Sequence, residues 1–393
     1  MFRHFLVLAA LFASVPALAA PPSASVPTPS PPAISAASYV LMSYRTGRVL
    51  AERAPHAKRA PASTTKMMTA YLVFQALAGG RIALDTKFTV SRKAWKEPGS
   101  RMFIEPGKQI SVNDLLQGML IPSGNDAAMA LAEGVAGTES SFVSMMNAEA
   151  KALGMNDTHY ADPAGLSPAD HVSAHDLAVL ARALIRDFPQ YYHYFSQKQF
   201  TWNKITQNNW NKLLWMDQDV DGLKTGYTDQ AGYCLVASAK RSDGRMIAVV
   251  MGVPGIADGN KSIRGNMANY RHLAKVNESL LDYGFRFFKT QKLYSAGKIF
   301  AKVRVWKGSA KYVAAGLAQP LYVTAASGYL DSLDVKKTLK TTVPAPVTRG
   351  APLGTLSVLW QGKTLATAPI VALKAVPKGG LWAKIRDTVL GWF

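Results

Sequence analysis

A serine and a lysine stand three residues apart within residues 62–73, where a polar loop becomes an apolar, helix-forming run. Residues three apart on a helix share one face. A serine hydroxyl becomes a nucleophile when a nearby base takes its proton, and an amine kept neutral by burial can be that base. The unpaired N–H groups of a first helical turn can stabilise an oxyanion. The pattern predicts Ser63 as nucleophile and Lys66 as base, although an isolated Ser-x-x-Lys is more often a helix cap beside a solvated charge.

Two further stretches favour the catalytic interpretation. Ser123-Gly124-Asn125 stands at the start of a second apolar helical run. Lys224-Thr225-Gly226 comes shortly before the β-type run at residues 233–237, which places it on or beside a strand. The three stretches together therefore predict one site assembled from distant parts of the chain.

The order Ser-x-x-Lys, Ser-x-Asn, Lys-Thr-Gly is the signature of penicillin-binding proteins and class A β-lactamases. Over nearly all of the chain after about residue 37, the sequence resembles the low-molecular-mass D-alanyl-D-alanine carboxypeptidases of the penicillin-binding protein 5 type. The resemblance implies an α/β fold, an antiparallel sheet flanked by helices with a helical subdomain, followed by a small all-β domain and a C-terminal amphipathic helix. The stretches that carry it are 200–203, 211–215, 224–229, 231–233 and 278–288.

The resemblance also implies the activity. We expect a serine carboxypeptidase that removes the terminal D-alanine from peptidoglycan pentapeptide stems through an acyl-enzyme on Ser63, with β-lactams as covalent inhibitors. Ser123 is expected to relay a proton to the leaving nitrogen. Residues 99–107 resemble a segment at the edge of the substrate cleft. The expected substrate-binding residues are Asn125, Lys224, Thr225, Gly226, Tyr227 and Lys275.

Lys275 departs from the family pattern. Relatives place an arginine there to hold the terminal carboxylate of the substrate, and a lysine keeps the charge but loses the bidentate fork. Arg271, one helical turn earlier, is an alternative for that role. Tyr227 is a second departure, because relatives more often have His or Thr at this position.

The two ends of the chain predict export and attachment to a membrane surface. Residues 1–19 have the charged start, apolar core and small-residue end of a cleaved signal peptide. Residues 20–36, rich in Pro, Ser and Ala, predict an extended linker. The stretch 377–393 predicts an amphipathic helix too short to span a bilayer, so we expect a periplasmic protein held peripherally on the inner membrane. The alternative is a helix packed on its own domain.

Composition changes at residue 289. We predict a catalytic domain over 37–288 and a small β-rich domain over 289–376, because short apolar runs separated by Gly and Pro begin there. Residues 289–393 carry 13 Lys and 3 Arg against 3 Asp, a net charge of +13 out of +20 for the whole chain. This excess fits attraction to an anionic envelope surface and equally fits a solvated basic face.

Other function classes lack their motifs. The seven histidines show no metal-ligand spacing, and the one cysteine, Cys234, cannot form an internal disulfide. Nucleic-acid-binding motifs are missing despite the basic charge. We expect no metal or organic cofactor and no nucleic-acid partner.

Three activities compete at such a site. Class A β-lactamases use a glutamate to activate the deacylating water, and this chain has no Glu between Glu149 and Glu278. The sequence therefore favours the carboxypeptidase over a β-lactamase, and a DD-endopeptidase stays an alternative. The intact motifs argue against an inactive wall-binding protein.

Overall fold

The computed structural model describes residues 29–242, 244–256, 263–382 and 387. The predicted signal peptide lies outside these residues, as do most of the predicted linker and most of the predicted C-terminal helix. The end of the linker is described and is packed rather than free. Ile34 and Ala36 are buried, and Arg53 donates hydrogen bonds to both of their carbonyl oxygens.

Two units follow one another along the chain. The strands of the first unit are β1 (Ser38–Ser43), β2 (Val49–Arg53), β3 (Lys87–Thr89), β4 (Gln109–Ser111), β5 (Gln199–Trp202), β6 (Ile205–Asn208), β7 (Val220–Thr228), β8 (Gly232–Arg241) and β9 (Gly244–Val253). Its helices are α1 (Lys66–Ala78), α2 (Arg92–Lys96), α3 (Val112–Leu120), α4 (Asn125–Ala136), α5 (Glu139–Ala152), α6 (Ala174–Asp187), α7 (Leu213–Met216) and α8 (Ile263–Phe287). The second unit contains β10 (Phe288–Tyr294), β11 (Ile299–Trp306), β12 (Tyr312–Gly316), β13 (Leu321–Ala326), β14 (Asp334–Leu339), β15 (Thr342–Pro344), β16 (Pro352–Trp360) and β17 (Lys363–Ala372).

An antiparallel sheet in the order β2-β1-β9-β8-β7 separates two apolar cores. Alternate side chains of its strands point to opposite faces, so Val249 enters the core that contains α1, α3, α4 and α6, while Val250 enters the core that contains α8. β7 is the edge strand beside the helical region. One row of its backbone groups is thus unpaired within the sheet and can pair with an extended peptide.

The helices that support the site have clear sequence causes. Ser111 and Ser173 cap α3 and α6, because each hydroxyl accepts a hydrogen bond from the backbone N–H three residues on. α1 is buried on nearly every side, including Lys66 at its first position. A helix of this kind lies inside the core and holds its first turn rigidly.

The second unit is all-β, as predicted. Its main sheet has the order β14-β16-β17-β12-β11-β15, and β10 pairs separately with β13. Leu381 and Trp382 just beyond it are exposed, whereas Asp387 is buried and accepts a hydrogen bond from the N–H of Lys307. Within the described residues, no helix combines the length and apolarity needed to cross a membrane.

α8 begins in a stretch whose composition does not suggest a helix. Residues 254–271 are rich in Gly and Asn, yet the helix begins at Ile263. Its later turns bury Leu273 and Ala274 against the sheet, and this packing extends a helix into a stretch whose local composition does not favour one.

Candidate active site

Ser63 and Lys66 meet at the start of α1. Ser63 lies in the 3₁₀ turn Ala62–Thr65, which leads directly into that helix. The Lys66 Nζ atom is 2.8 Å from Ser63 Oγ, 2.6 Å from Asn125 Oδ1 and 2.9 Å from the Ala164 carbonyl oxygen. Amide and carbonyl oxygens only accept hydrogen bonds. A neutral amine that donates its two N–H groups to Asn125 and Ala164 therefore keeps its lone pair for the Ser63 hydroxyl.

Burial favours the neutral form of the Lys66 amine. The side chain is fully buried, and desolvation lowers its pKa from 10.5 to about 7. Three carboxylates oppose this effect and favour the ammonium form: Asp162 most, then Asp126 and Glu97. The pKa of Lys66 is thus set by burial against nearby negative charge.

A loop ordered by Asp162 supplies one of the contacts of Lys66. The Asp162 carboxylate accepts hydrogen bonds from the backbone N–H groups of Ala164, Gly165, Leu166 and Ser167. The loop packs closely on the nucleophile turn, because a Cβ on Gly165 would lie 1.9 Å from the Ala62 carbonyl oxygen. Sequence reasoning did not assign a role to Asp162, although the Asp-Pro-x-Gly pattern that it begins is typical of an ordered turn.

Ser123 and Lys224 form a second serine–lysine contact. Lys224 Nζ donates to Ser123 Oγ at 3.0 Å and to the Thr225 carbonyl oxygen at 3.1 Å. Burial lowers the pKa of Lys224 well below its usual value, and the charge of Lys66 lowers it further. Ser123 has a left-handed backbone (φ 65°), which a non-glycine residue adopts at some cost.

Gly226 allows β7 to run close to the nucleophile. A Cβ at this position would lie 2.9 Å from the Pro61 carbonyl oxygen and 3.1 Å from the Ser63 nitrogen. Tyr227 follows on the same strand and is 41% exposed, so its side chain reaches solvent at the rim. Its hydroxyl donates to Asp229 at 2.7 Å.

These groups surround a cavity of about 400 Å³. Of the predicted residues, Ser63, Ser123, Thr225, Gly226 and Tyr227 line it directly. Sequence reasoning had not assigned Trp210, Asp229, Asn266 and Tyr270, which complete the wall together with Ser100 of the expected cleft-edge segment.

Asn125 lies in the active site beside Lys66, whereas Lys275 lines a different cavity. Both polar atoms of the Asn125 amide are engaged within the protein, Oδ1 by Lys66 and Nδ2 by the carbonyl oxygen of Pro98. Lys275 and Arg271 line a second cavity, whose lining does not include Ser63. The structure therefore brings neither cation to the cavity of the nucleophile.

The fold and site together define a class of protein: a serine acyl-transfer enzyme in which a buried lysine serves the nucleophile and an edge strand offers a place for a peptide. Within the described residues, no group of three or more His, Cys, Asp or Glu side chains could hold a metal ion.

Comparison with known proteins identifies the family. Residues 25–255 match the D-alanyl-D-alanine carboxypeptidase family, and residues 288–378 match the C-terminal domain of penicillin-binding protein 5. The chain is 39% identical to D-alanyl-D-alanine carboxypeptidase DacD of Salmonella typhimurium, over 98% of this chain and 97% of that protein. This chain belongs to the D-alanyl-D-alanine carboxypeptidase family, which confirms the resemblance seen in the sequence.

Solved structures agree with this assignment. Penicillin-binding protein 5 of Haemophilus influenzae superposes with a TM-score of 0.81 at 37% identity, covering 89% of this chain and 99% of that one. Penicillin-binding protein D2 of Listeria monocytogenes, in its ampicillin-bound form, gives a TM-score of 0.56 at 31% identity, covering 64% of this chain and 98% of that one. The predicted DD-peptidase fold with a C-terminal all-β domain is confirmed.

Proposed function

We propose that this enzyme removes the terminal D-alanine of peptidoglycan pentapeptide stems through a Ser63 acyl-enzyme, with Lys66 as the base. One observation carries the proposal: Lys66 Nζ lies 2.8 Å from Ser63 Oγ while two acceptor-only oxygens occupy its other directions. Such an amine can take the serine proton without moving.

Acylation then proceeds in balanced steps. Ser63 Oγ attacks the carbonyl of the penultimate D-alanine as its proton passes to Lys66, and the backbone N–H groups of Ser63 and Tyr227 stabilise the oxyanion. Ser123 relays a proton to the leaving nitrogen, so the C–N bond breaks and D-alanine departs as a neutral amine. Water then attacks the ester, which frees the shortened peptide and restores the Ser63 hydroxyl.

The substrate would lie along β7. Thr225 binds its terminal carboxylate, and Gly226 lets its backbone approach the strand. The scissile carbonyl sits near Tyr227 and the C-terminus near Thr225, so the substrate runs antiparallel to β7 and its leaving group points toward the start of the strand. Lys224 adds positive charge beside this path. Asn125 holds Lys66, and it reaches the substrate amide only by exchanging one of its present contacts.

β-Lactams would acylate the same serine. A β-lactam carbonyl presents the same target as the peptide carbonyl, and the Listeria relative is known in an ampicillin-bound form. The cavity offers little help for the next step, hydrolysis of the penicilloyl ester on Ser63. Asp229 is its single carboxylate among the described lining residues, and that carboxylate already accepts from Tyr227. We therefore propose slow release of the penicilloyl group.

Labelling with a fluorescent penicillin tests the nucleophile. The wild-type chain should take up one label, and Ser63→Ala should take up none while unfolding at the same temperature. Ser279→Ala, at an exposed serine of α8, is the matched control and should label normally. Release of free D-alanine from a pentapeptide, compared with scission of a crosslinked dimer, separates the carboxypeptidase from an endopeptidase. Label on Ser63→Ala would refute the assignment.

We further propose a catalytic domain over residues 37–288, a β domain over 289–376 and a tail from 377 that lies on the periplasmic face of the inner membrane after signal cleavage. The exposure of Leu381 (71%) and Trp382 (84%) supports the tail's role, because apolar side chains there are available to an interface. Truncation after Pro377 should move activity into the soluble fraction and leave hydrolysis of a short peptide unchanged. Equal membrane binding by both forms would contradict the anchor.

A further inference from the structure

A second cavity of about 500 Å³ adjoins the active site and combines cations with apolar side chains. Trp215 and Met216 are 45% and 39% exposed. Two lysine Nζ atoms lie close to the centroid of the Trp215 ring, that of Lys212 at 4.9 Å and that of Lys198 at 5.8 Å. The residues that line the cavity are Asn208, Lys212, Trp215, Met216, Met267, Arg271 and Lys275.

The positive charge in this second cavity is little compensated. Among the described residues, neither Lys198, Arg271 nor Lys275 forms a salt bridge, and no carboxylate lines the cavity. Glu278 lies one turn after Lys275 on α8; burial raises the pKa of its carboxyl group, and the charge of Lys275 opposes that rise. Lys212 is buried with its ammonium donating to the Asn209 carbonyl oxygen, and Arg271 lowers its pKa further. An arrangement of this kind attracts an anion.

The two cavities are neighbours across a thin aromatic wall. Trp210 and Tyr270 line the active site, and their ring centroids are 4.9 Å apart. Met267 and Arg271 follow Asn266 and Tyr270 on α8 and face the second cavity instead. One helix therefore borders both spaces, and Lys212 of the second cavity lies 5.7 Å from the ring centroid of Trp210 in the first.

The second cavity lies on the leaving-group side of Ser63. Trp215 and Met216 belong to α7, which immediately precedes the first residues of β7. Under the proposed function, the substrate's C-terminus points toward that end of the strand. We propose that this cavity is a binding site for a carboxylate on a leaving group larger than D-alanine, such as an acidic D-amino acid or the anionic end of a second peptide. This inference rests on the proposed function and extends it to substrate choice.

Matched substrates test the site. Diacetyl-lysyl-D-Ala-D-Glu and diacetyl-lysyl-D-Ala-D-Gln differ by one carboxylate at constant shape. In a second acid and amide pair, the side chain of the last amino acid is longer by one methylene, so its end group reaches further from Ser63. Wild-type kcat/KM should favour the acid of at least one pair by roughly tenfold, the effect of one charge-assisted hydrogen bond. Arg271→Ala and Lys275→Glu, each at a cation that lines the cavity, should bring that ratio close to one. Lys336→Glu, at an exposed lysine of β14, controls for overall charge and should keep the wild-type ratio.

The outcomes are distinct. Ratios near one in the wild-type enzyme for both pairs, or a preference that survives both cavity variants, would overturn the inference. An equal loss of kcat/KM on the acid and the amide substrates in the cavity variants would show a merely structural effect, and it would overturn the inference too. Acylation of Ser63 by benzylpenicillin is measured alongside: its absence in the wild-type enzyme means that the proposed function has failed, whereas normal acylation with no acid preference means that this inference alone has failed.

Discussion

The pH dependence of acylation tests the role of Lys66 most directly. Lowering its pKa from 10.5 to about 7 corresponds to a penalty of about 5 kcal/mol on the ammonium form. At pH 7 about half of the enzyme then carries a neutral Lys66, against about 3 molecules in 10,000 for an ordinary lysine. In the proposed mechanism the neutral form is the base, so burial would make the serine proton transferable at neutral pH.

The assay is the second-order rate constant for labelling by a fluorescent penicillin, measured from about pH 5 to about pH 9. The rate should rise about tenfold per pH unit on the acid side, pass its half-maximum near the pKa of about 7, and level off above it. A rate that kept rising toward the pKa of an ordinary lysine, or that did not depend on pH, would refute the argument.

Asp162→Asn sharpens this test. Removing the carboxylate that most favours the ammonium form should lower the pKa of Lys66 further and move the half-maximum to lower pH. Glu97→Gln removes the carboxylate with the smallest of the three effects on Lys66, so the half-maximum should move less, but also to lower pH. A shift toward higher pH in Asp162→Asn would contradict the electrostatic account. Thermal unfolding of each variant checks that the loop of Ala164 is still ordered.

Three other expectations follow from the same geometry. Gly226→Ala should slow acylation by roughly 10²-fold or more, because the new methyl group contacts the backbone of Ser63; near-normal labelling of this variant would show that the contact is relieved easily. Ser123→Ala should slow peptide hydrolysis by roughly 10²-fold or more, as loss of proton transfer to the leaving nitrogen requires, and a rate within twofold of wild type would exclude the relay. Benzylpenicillin should give a burst of one equivalent followed by slow turnover, and sustained rapid hydrolysis would point to a β-lactamase.

The sequence predicted those parts of the site that short motifs encode. Ser63 and Lys66 share one helical turn, and Lys224, Thr225 and Gly226 share one strand, so local periodicity places each set correctly. The all-β second unit also followed from local composition. Such features need no knowledge of distant contacts.

Tertiary packing determines the rest. Ala164 contacts Lys66 from 98 residues away, and nothing near either residue signals the pairing. Trp210 reaches the cavity wall because its Nε1 donates to the Pro122 carbonyl oxygen beside Ser123. Lys275 is a different case: the family pattern predicts that it contacts a carboxylate, and nothing in the sequence indicated that it lines the neighbouring cavity rather than that of Ser63.

Under the proposed mechanism, the two serine–lysine pairs would divide the proton transfers between them. Lys66 contacts Ser63, and Lys224 contacts Ser123, while burial lowers the pKa of both lysines. The charge of Lys66 further lowers the pKa of Lys224. When Lys66 takes the proton of Ser63, Lys224 therefore releases its own proton more easily, and the leaving nitrogen needs a proton at that step. Ser123 lies in hydrogen-bond contact with Lys224 and on the cavity surface, which allows it to pass that proton on. The same burial that prepares Lys66 to accept a proton thus prepares its neighbour to release one, and acylation needs no carboxylate in the cavity.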